Sequence, residues 1–185
     1  KDVLAYLSLI ASTADDLRLS RIINSPPRGI GERTVETVRQ LAADNDCAMF
    51  EILSHADSSP ELQRPAIRLR QFAGMINELR AFAENNSPDR LLDELLEKTG
   101  YLRALQEKNT VEDTARAENV QELKTSILGY MKESGDETLE GYLANVALYT
   151  DMDNYDKETD CVVMMTMHSA KGLEFPSVFI VGMEE

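Results

Sequence analysis

The sequence predicts a mainly α-helical protein that ends in two short strands. Three observations indicate this fold class. Apolar residues recur every three or four positions through most of the 185-residue chain, as far as residue 149, and this is the period of an amphipathic helix. Capping residues and prolines stand where such helices should begin and end. Beyond residue 150 the period is lost, and two apolar runs rich in valine follow an acidic stretch.

Helical elements can be placed in order along the first part of the chain. The first covers DVLAYLSLIA, whose apolar residues fall on one stripe. A long amphipathic helix is expected within residues 61–85, with Pro65 setting its beginning because proline fits a first turn and not a helix interior. SPDRLLDELLEKTGY carries a complete helix signal, with Ser87 as N-cap, Pro88 at the first position and Gly100 as the stop. Further helices are expected at residues 34–43, 114–132 and 138–149.

The C-terminal part has a different character. DMDNYDKETD is acidic and without period, so it is typical of a linker or an exposed loop. It does not fit a calcium-binding loop, because Val162 stands where that loop needs a glutamate, and no metal site is predicted. Residues 161–166 and 177–181 are continuous apolar runs, as expected for strands covered on both faces. Two strands cannot stand alone, so they are expected to belong to an incomplete α/β sheet.

The charge and composition of the chain argue against several classes of protein. The net charge is −14, which argues against a surface that grips nucleic acid over its whole extent, since phosphate binding depends on Lys and Arg. Any DNA contact has to be local. No apolar run reaches the ~20 residues of a membrane span, and the apolar residues of KDVLAYLSLIAS are spaced like those of a helix rather than packed as in a signal peptide. Cys47 and Cys161 lie far apart in the sequence and are expected to be free thiols of a cytoplasmic protein.

One stretch, INSPPRGIGERTVETVRQLA, offers such a local contact. We call Gly29, Ile30 and Gly31 the GIG turn. Two glycines around one apolar residue let main-chain N–H groups point outward while the isoleucine anchors the turn. Such groups beside a helix N-terminus form a ready phosphate site. Five arginines against two glutamates between Leu17 and Gln40 give a local charge of +3; the arginines are Arg18, Arg21, Arg28, Arg33 and Arg39.

The helix–hairpin–helix class of DNA-binding modules uses the same glycine–apolar–glycine device to hold a duplex backbone without reading its sequence. The predicted DNA contacts here are Arg28, Gly29, Ile30, Gly31, Arg33 and Thr34. A short turn of this kind also connects helices without binding anything, so the stretch alone leaves both interpretations open.

The chain resembles bacterial superfamily 1 DNA helicases of the UvrD/PcrA type in three blocks, which occur in the family's order. KDVLAYLSLIASTADDLRLSRIINSPPRGIGERT resembles the entry into the accessory 2B subdomain. ARAENVQELKTSI is similar to a motif late in that subdomain, RxENxxEL, for which the family implies motor contacts around Arg116, Glu118 and Asn119. VVMMTMHSAKGLEFPSVFIVGMEE resembles motif V of the second, RecA-like motor domain, called 2A.

The resemblance implies roles for the motif V turn, which in the family lies between the DNA track and the ATP cleft. Thr166, His168 and Lys171 are expected to face single-stranded DNA. Gly172 and Glu174 are expected to lie at the nucleotide. One turn that touches both ligands would couple ATP hydrolysis to stepping along DNA.

The resemblance also implies a domain division. Residues 1–12 and 156–185 would be flanks of motor domain 2A, and residues 13–155 the helical 2B subdomain. The chain would be a fragment of an ATP- and magnesium-dependent DNA helicase with 3′-to-5′ polarity that acts in DNA repair or replication. No GxxxxGK[ST] phosphate loop is present, so the fragment is expected to bind no cofactor and to be inactive alone. The alternative is an acidic helical module that docks protein partners without contacting DNA.

Overall fold

The structure, a computed structural model, describes residues 1–108, 110–148, 164 and 177–181. Helices dominate these residues, as predicted. Their bounds are α1 Asp2–Ala11, α2 Asp16–Ile22, α3 Glu32–Asp44, α4 Met49–Ser54, α5 Ala66–Ala83, α6 Pro88–Thr99, α7 Tyr101–Lys108, α8 Val111–Ser134 and α9 Leu139–Leu148, with 3-10 turns at Ala56–Ser58 and Pro60–Leu62.

Local signals explain where several helices begin and end. Pro65 is the N-cap of α5, so the periodic run that starts at residue 61 becomes a 3-10 turn before the helix proper. Ser87 precedes α6, Pro88 is its first residue, and Gly100 ends it with φ of +65°. That left-handed conformation carries no steric cost for glycine. The predicted start of α5 and the predicted start and end of α6 are therefore confirmed.

The core of the helical part is built around α5. This helix packs against α1, α4 and α6, while α1 also packs on α2 and α8 lies against α6 and α7. Tyr6, Leu7, Leu19, Ile22, Phe72, Ile76 and Leu79 are among the fully buried side chains. The hydrophobic stripes predicted for α1 and α5 thus face the core, and α2 and α3 with the GIG turn between them are attached to it through α1 and α4.

The chain divides into two compact units, residues 1–144 and 145–185. Within the second unit, residues 177–181 have no strand structure, and Phe179 is 90% exposed. The expected strand is therefore not formed there, because a strand needs a hydrogen-bonded neighbour and the described residues supply none. Of the other predicted strand, residues 161–166, only Met164 is described.

Candidate nucleic-acid interface

The side chain of Asn24 holds the GIG turn in place through two hydrogen bonds. The Oδ1 atom of Asn24 accepts hydrogen bonds from the main-chain N–H of Arg28 at 2.6 Å and of Ile30 at 3.3 Å. Ile30 is 1% exposed, so it anchors the turn in the core as predicted. Gly29 adopts φ of +69°, a conformation that only glycine takes without strain.

The outer side of the turn carries free main-chain donors. Gly29, Gly31, Glu32 and Arg33 are exposed, and their N–H groups have no acceptor among the described residues. Gly31 is the N-cap of α3, and its carbonyl accepts from the N–H of Thr34 at 2.9 Å. The amide of Thr34 is therefore occupied, whereas the N–H groups of the three exposed residues before it have no acceptor among the described residues. Together they form the cluster of amides that the sequence predicted at the start of a helix.

The positive charge available beside the turn is smaller than the five arginines counted in the sequence suggest. Arg18 pairs with Asp15 at 2.6 Å, Arg21 with Asp2 at 2.7 Å, and Arg39 with Glu36. Among the described residues Arg33 has no carboxylate partner. Three of the five arginines are thus largely neutralised by their own neighbours, which leaves little positive field there for a polyanion.

Arg28 is placed differently from the other predicted contacts. Its guanidinium is directed into the fold, where Nη1 donates to the carbonyl oxygens of Pro26 at 3.1 Å and Ile22 at 3.2 Å. Nη2 donates to the hydroxyl of Tyr6 at 2.7 Å. Because burial raises the pKa of Tyr6 to about 12, this phenol stays protonated and also donates to the carbonyl of Ser25 at 2.8 Å.

A cation that the sequence did not predict also lies at the turn. Arg68 of α5 donates from Nη1 to the carbonyl of Gly29 at 3.0 Å. It is exposed and has no carboxylate partner within 4.0 Å among the described residues. It is 39 residues away from Gly29 in the sequence, so only the packing of α5 brings it there. Among the described residues, Arg33 and Arg68 are therefore the exposed arginines near the turn that have no carboxylate partner.

An open groove adjoins the turn between α2 and α3. Its volume is about 650 Å³. Its apolar lining comes from Ile23, Ile30 and Val35, and its charged lining includes both Arg33 and Glu32. Because both signs of charge line the groove, an anionic ligand is expected to contact Arg33 and the free amides at the rim rather than to fill the groove.

The other predicted site residues fall into two groups. Thr166, His168, Lys171, Gly172 and Glu174 lie outside the described residues. Arg116, Glu118 and Asn119 are exposed on α8, and Arg116 pairs with Glu112 one helical turn earlier at 2.5 Å. Two further features are absent from the described part of the chain. No group of three metal-ligating side chains comes together there. Nor does any helix there have the length and apolar character needed to cross a bilayer.

The fold and the turn define a class of protein, a helical module that presents uncharged main-chain donors and two arginines at a glycine turn. Comparison with known proteins gives the family. The UvrD-like helicase C-terminal domain matches residues 1–185, so the chain belongs to this family, and the resemblance seen in the sequence is confirmed at that level.

Named relatives agree with the family match. The chain is 40% identical over 187 residues to the ATP-dependent DNA helicase PcrA of Staphylococcus aureus strain Mu50. It is 35% identical over 191 residues to the PcrA helicase of Bacillus subtilis strain 168. Each alignment covers 100% of this chain and 26% of the relative, so the chain spans about a quarter of the length of the curated relatives it matches.

Proposed function

We propose that this chain is the duplex-binding and regulatory 2B region of an ATP-dependent DNA helicase with 3′-to-5′ polarity. Its family, and relatives named as ATP-dependent DNA helicases, support this assignment. In the proposal residues 13–155 form the 2B subdomain, and residues 1–12 and 156–185 belong to motor domain 2A. ATP and magnesium are used by the whole protein, in DNA repair or replication, and the chain alone hydrolyses nothing.

The observation that carries the duplex-binding role is the row of unoccupied amides at the GIG turn. Gly31, Glu32 and Arg33 are exposed residues at the N-terminus of α3. Their N–H groups have no acceptor among the described residues, and the helix dipole there favours an anion. Arg33 and Arg68 supply positive charge beside them. These groups can bind the phosphates of a DNA duplex whatever its base sequence, because contacts to phosphates carry no sequence information.

In the motor flank the proposal retains the roles implied by motif V. Thr166, His168 and Lys171 contact single-stranded DNA, and Gly172 and Glu174 contact the nucleotide. The GIG turn then holds the duplex while the motor pulls one strand.

Duplex binding by the chain at low salt tests the proposal, with Gly31→Ala as the key variant. A Cβ at Gly31 meets no atom within 4 Å, so the variant should fold normally. The added methyl group would stand in the path of a phosphate that approaches the amides. We expect binding to weaken by roughly tenfold, as for the loss of one charge-assisted hydrogen bond. Arg90→Gln, a loss of charge at an exposed position of α6, should leave binding almost unchanged.

The acidic surface favours a second candidate. The net charge of −14 and the pairing of Arg18, Arg21 and Arg39 with carboxylates suit a module that docks protein partners. Under that function the chain would not bind duplex even at low salt. Equal binding by Gly31→Ala and the unmodified chain would instead remove the GIG turn from the DNA interface.

A further inference from the structure

The guanidinium of Arg28 occupies a cage made by three separate elements. Nη1 lies within hydrogen-bond distance of the carbonyl oxygens of Ile22 at 3.2 Å, Ile23 at 3.4 Å and Pro26 at 3.1 Å. Ile22 is the last residue of α2 and Ile23 is its C-cap. A helix C-terminus carries partial negative charge that a cation stabilises. The guanidinium of Arg28 therefore caps the C-terminus of α2 and connects this helix to the GIG turn.

Aromatic side chains complete the cage. The guanidinium carbon is 5.8 Å from the ring centre of Tyr6 in α1 and 5.2 Å from that of Phe72 in α5, both within cation–π range. Nη2 also donates to the Tyr6 hydroxyl. Both aromatic side chains are among the fully buried ones, so the cage is anchored in the core.

We propose that Arg28 is a positioning residue, whose guanidinium fixes the GIG turn against α1, α2 and α5 without itself contacting the DNA backbone. The main chain of Arg28 supports the same role, since its N–H donates to Asn24, which also accepts from Ile30. Both ends of the residue thus hold the turn in the shape that leaves the amides of Gly31 and Glu32 outward. The inference rests on the proposed duplex-binding function and deepens it.

The salt dependence of duplex binding separates positioning from direct contact. Each phosphate neutralised by a cation contributes about 0.9 to the slope of log K against log salt concentration. Arg28→Gln removes the internal charged hydrogen bonds that hold the GIG turn in shape. It should therefore weaken binding by roughly tenfold and leave the slope unchanged. Arg33→Gln, the matched control with an exposed side chain, should reduce the slope by about 0.9. A slope that falls equally in Arg28→Gln would overturn the inference, as would unaltered affinity.

Two further measurements keep the test decisive. If Arg28→Gln does not fold, Arg28→Lys retains the charge but cannot fork between carbonyls and phenol, and the same weaker binding with the same slope is expected. The amide NMR shifts of Gly29 and Gly31 should move in the Arg28 variant and stay fixed in Arg33→Gln. Should the unmodified chain fail to bind duplex, the proposed function is wrong, and these shifts still decide whether Arg28 positions the turn. Unmoved shifts would overturn the inference.

Discussion

Single glycines in this chain have different backbone requirements. Gly29 has φ of +69°, so Gly29→Ala should destabilise the fold by about 1–2 kcal/mol, the cost of a left-handed alanine. Gly31 has φ of −80° but is the N-cap of α3, where alanine is less favourable than glycine, so Gly31→Ala should cost about 0.5–1 kcal/mol. Gly74 lies exposed within α5, and Gly74→Ala should stabilise by roughly 0.5–1 kcal/mol. Urea unfolding of the three variants measures this order.

The outcome for these glycines bears on the site as well as on stability. If Gly31→Ala proved as destabilising as Gly29→Ala, a loss of duplex binding by Gly31→Ala would report unfolding rather than a blocked phosphate. A smaller loss of stability in Gly31→Ala than in Gly29→Ala, together with weaker binding by a fully folded Gly31→Ala chain, would place the effect at the surface of the turn.

At the scale of elements, the corner between α8 and α9 depends on a close approach of the backbone. The Tyr130 hydroxyl of α8 donates to Oδ2 of Asp136 at 2.7 Å. A Cβ at Gly141 in α9 would lie 1.8 Å from that oxygen and 2.5 Å from the Tyr130 hydroxyl. Both oxygens are the ends of side chains that can move aside, so Gly141→Ala should break this hydrogen bond at a cost of about 0.5–1.5 kcal/mol.

Hydrogen exchange of α9 amides measures the loss at this corner. Protection should fall in Gly141→Ala while α5 amides keep theirs. Gly129→Ala in α8 is the matched control, because a Cβ there meets nothing within 4 Å and alanine favours the helix. Unchanged α9 protection in Gly141→Ala would mean that the corner does not hold α9 in place.

The same corner should respond to acid. A hydrogen bond from Thr138, followed in importance by one from Tyr130, holds the pKa of Asp136 below the ordinary aspartate value of 3.8. A lowered pKa contributes stability that is fully present above 3.8 and is lost as the pH falls through the folded-state value. The stability difference between the unmodified chain and Asp136→Asn should therefore be constant at neutral pH and narrow below pH 3.8. Urea unfolding of the unmodified chain and of Asp136→Asn at several pH values checks this.

How far the sequence predicts these elements depends on where the deciding contacts lie. Ser87, Pro88 and Gly100 mark α6 with local signals, and the structure follows them. Short helices such as α4 and α7 were not predicted, since α7 begins directly after the Gly100 stop and α4 has only six residues. Arg68 at the GIG turn and the inward guanidinium of Arg28 were missed for a different reason. Both depend on packing between distant segments, which a local pattern does not contain.

At the scale of the whole molecule, the strong negative charge and the small cationic site predict a weak salt dependence of duplex binding. Counting all five arginines near the GIG turn would give a slope of about −4.5, at 0.9 for each phosphate neutralised. In the structure three of them pair with carboxylates and Arg28 is turned inward, while Arg68 is gained. Two exposed cations, Arg33 and Arg68, predict a slope of about −2.

Titration of a fluorescent duplex with the chain at several salt concentrations measures this slope. Because the acidic body repels the phosphate backbone at long range, binding should be weak and should not depend on duplex sequence. A slope near −4.5 would mean that DNA displaces Asp15, Asp2 and Glu36 from their arginines. A double variant, Arg33→Gln with Arg68→Gln, should bring the slope close to zero and leave only the amides to hold phosphate. Strong residual salt dependence in that variant would place the cationic contact on another surface of the molecule.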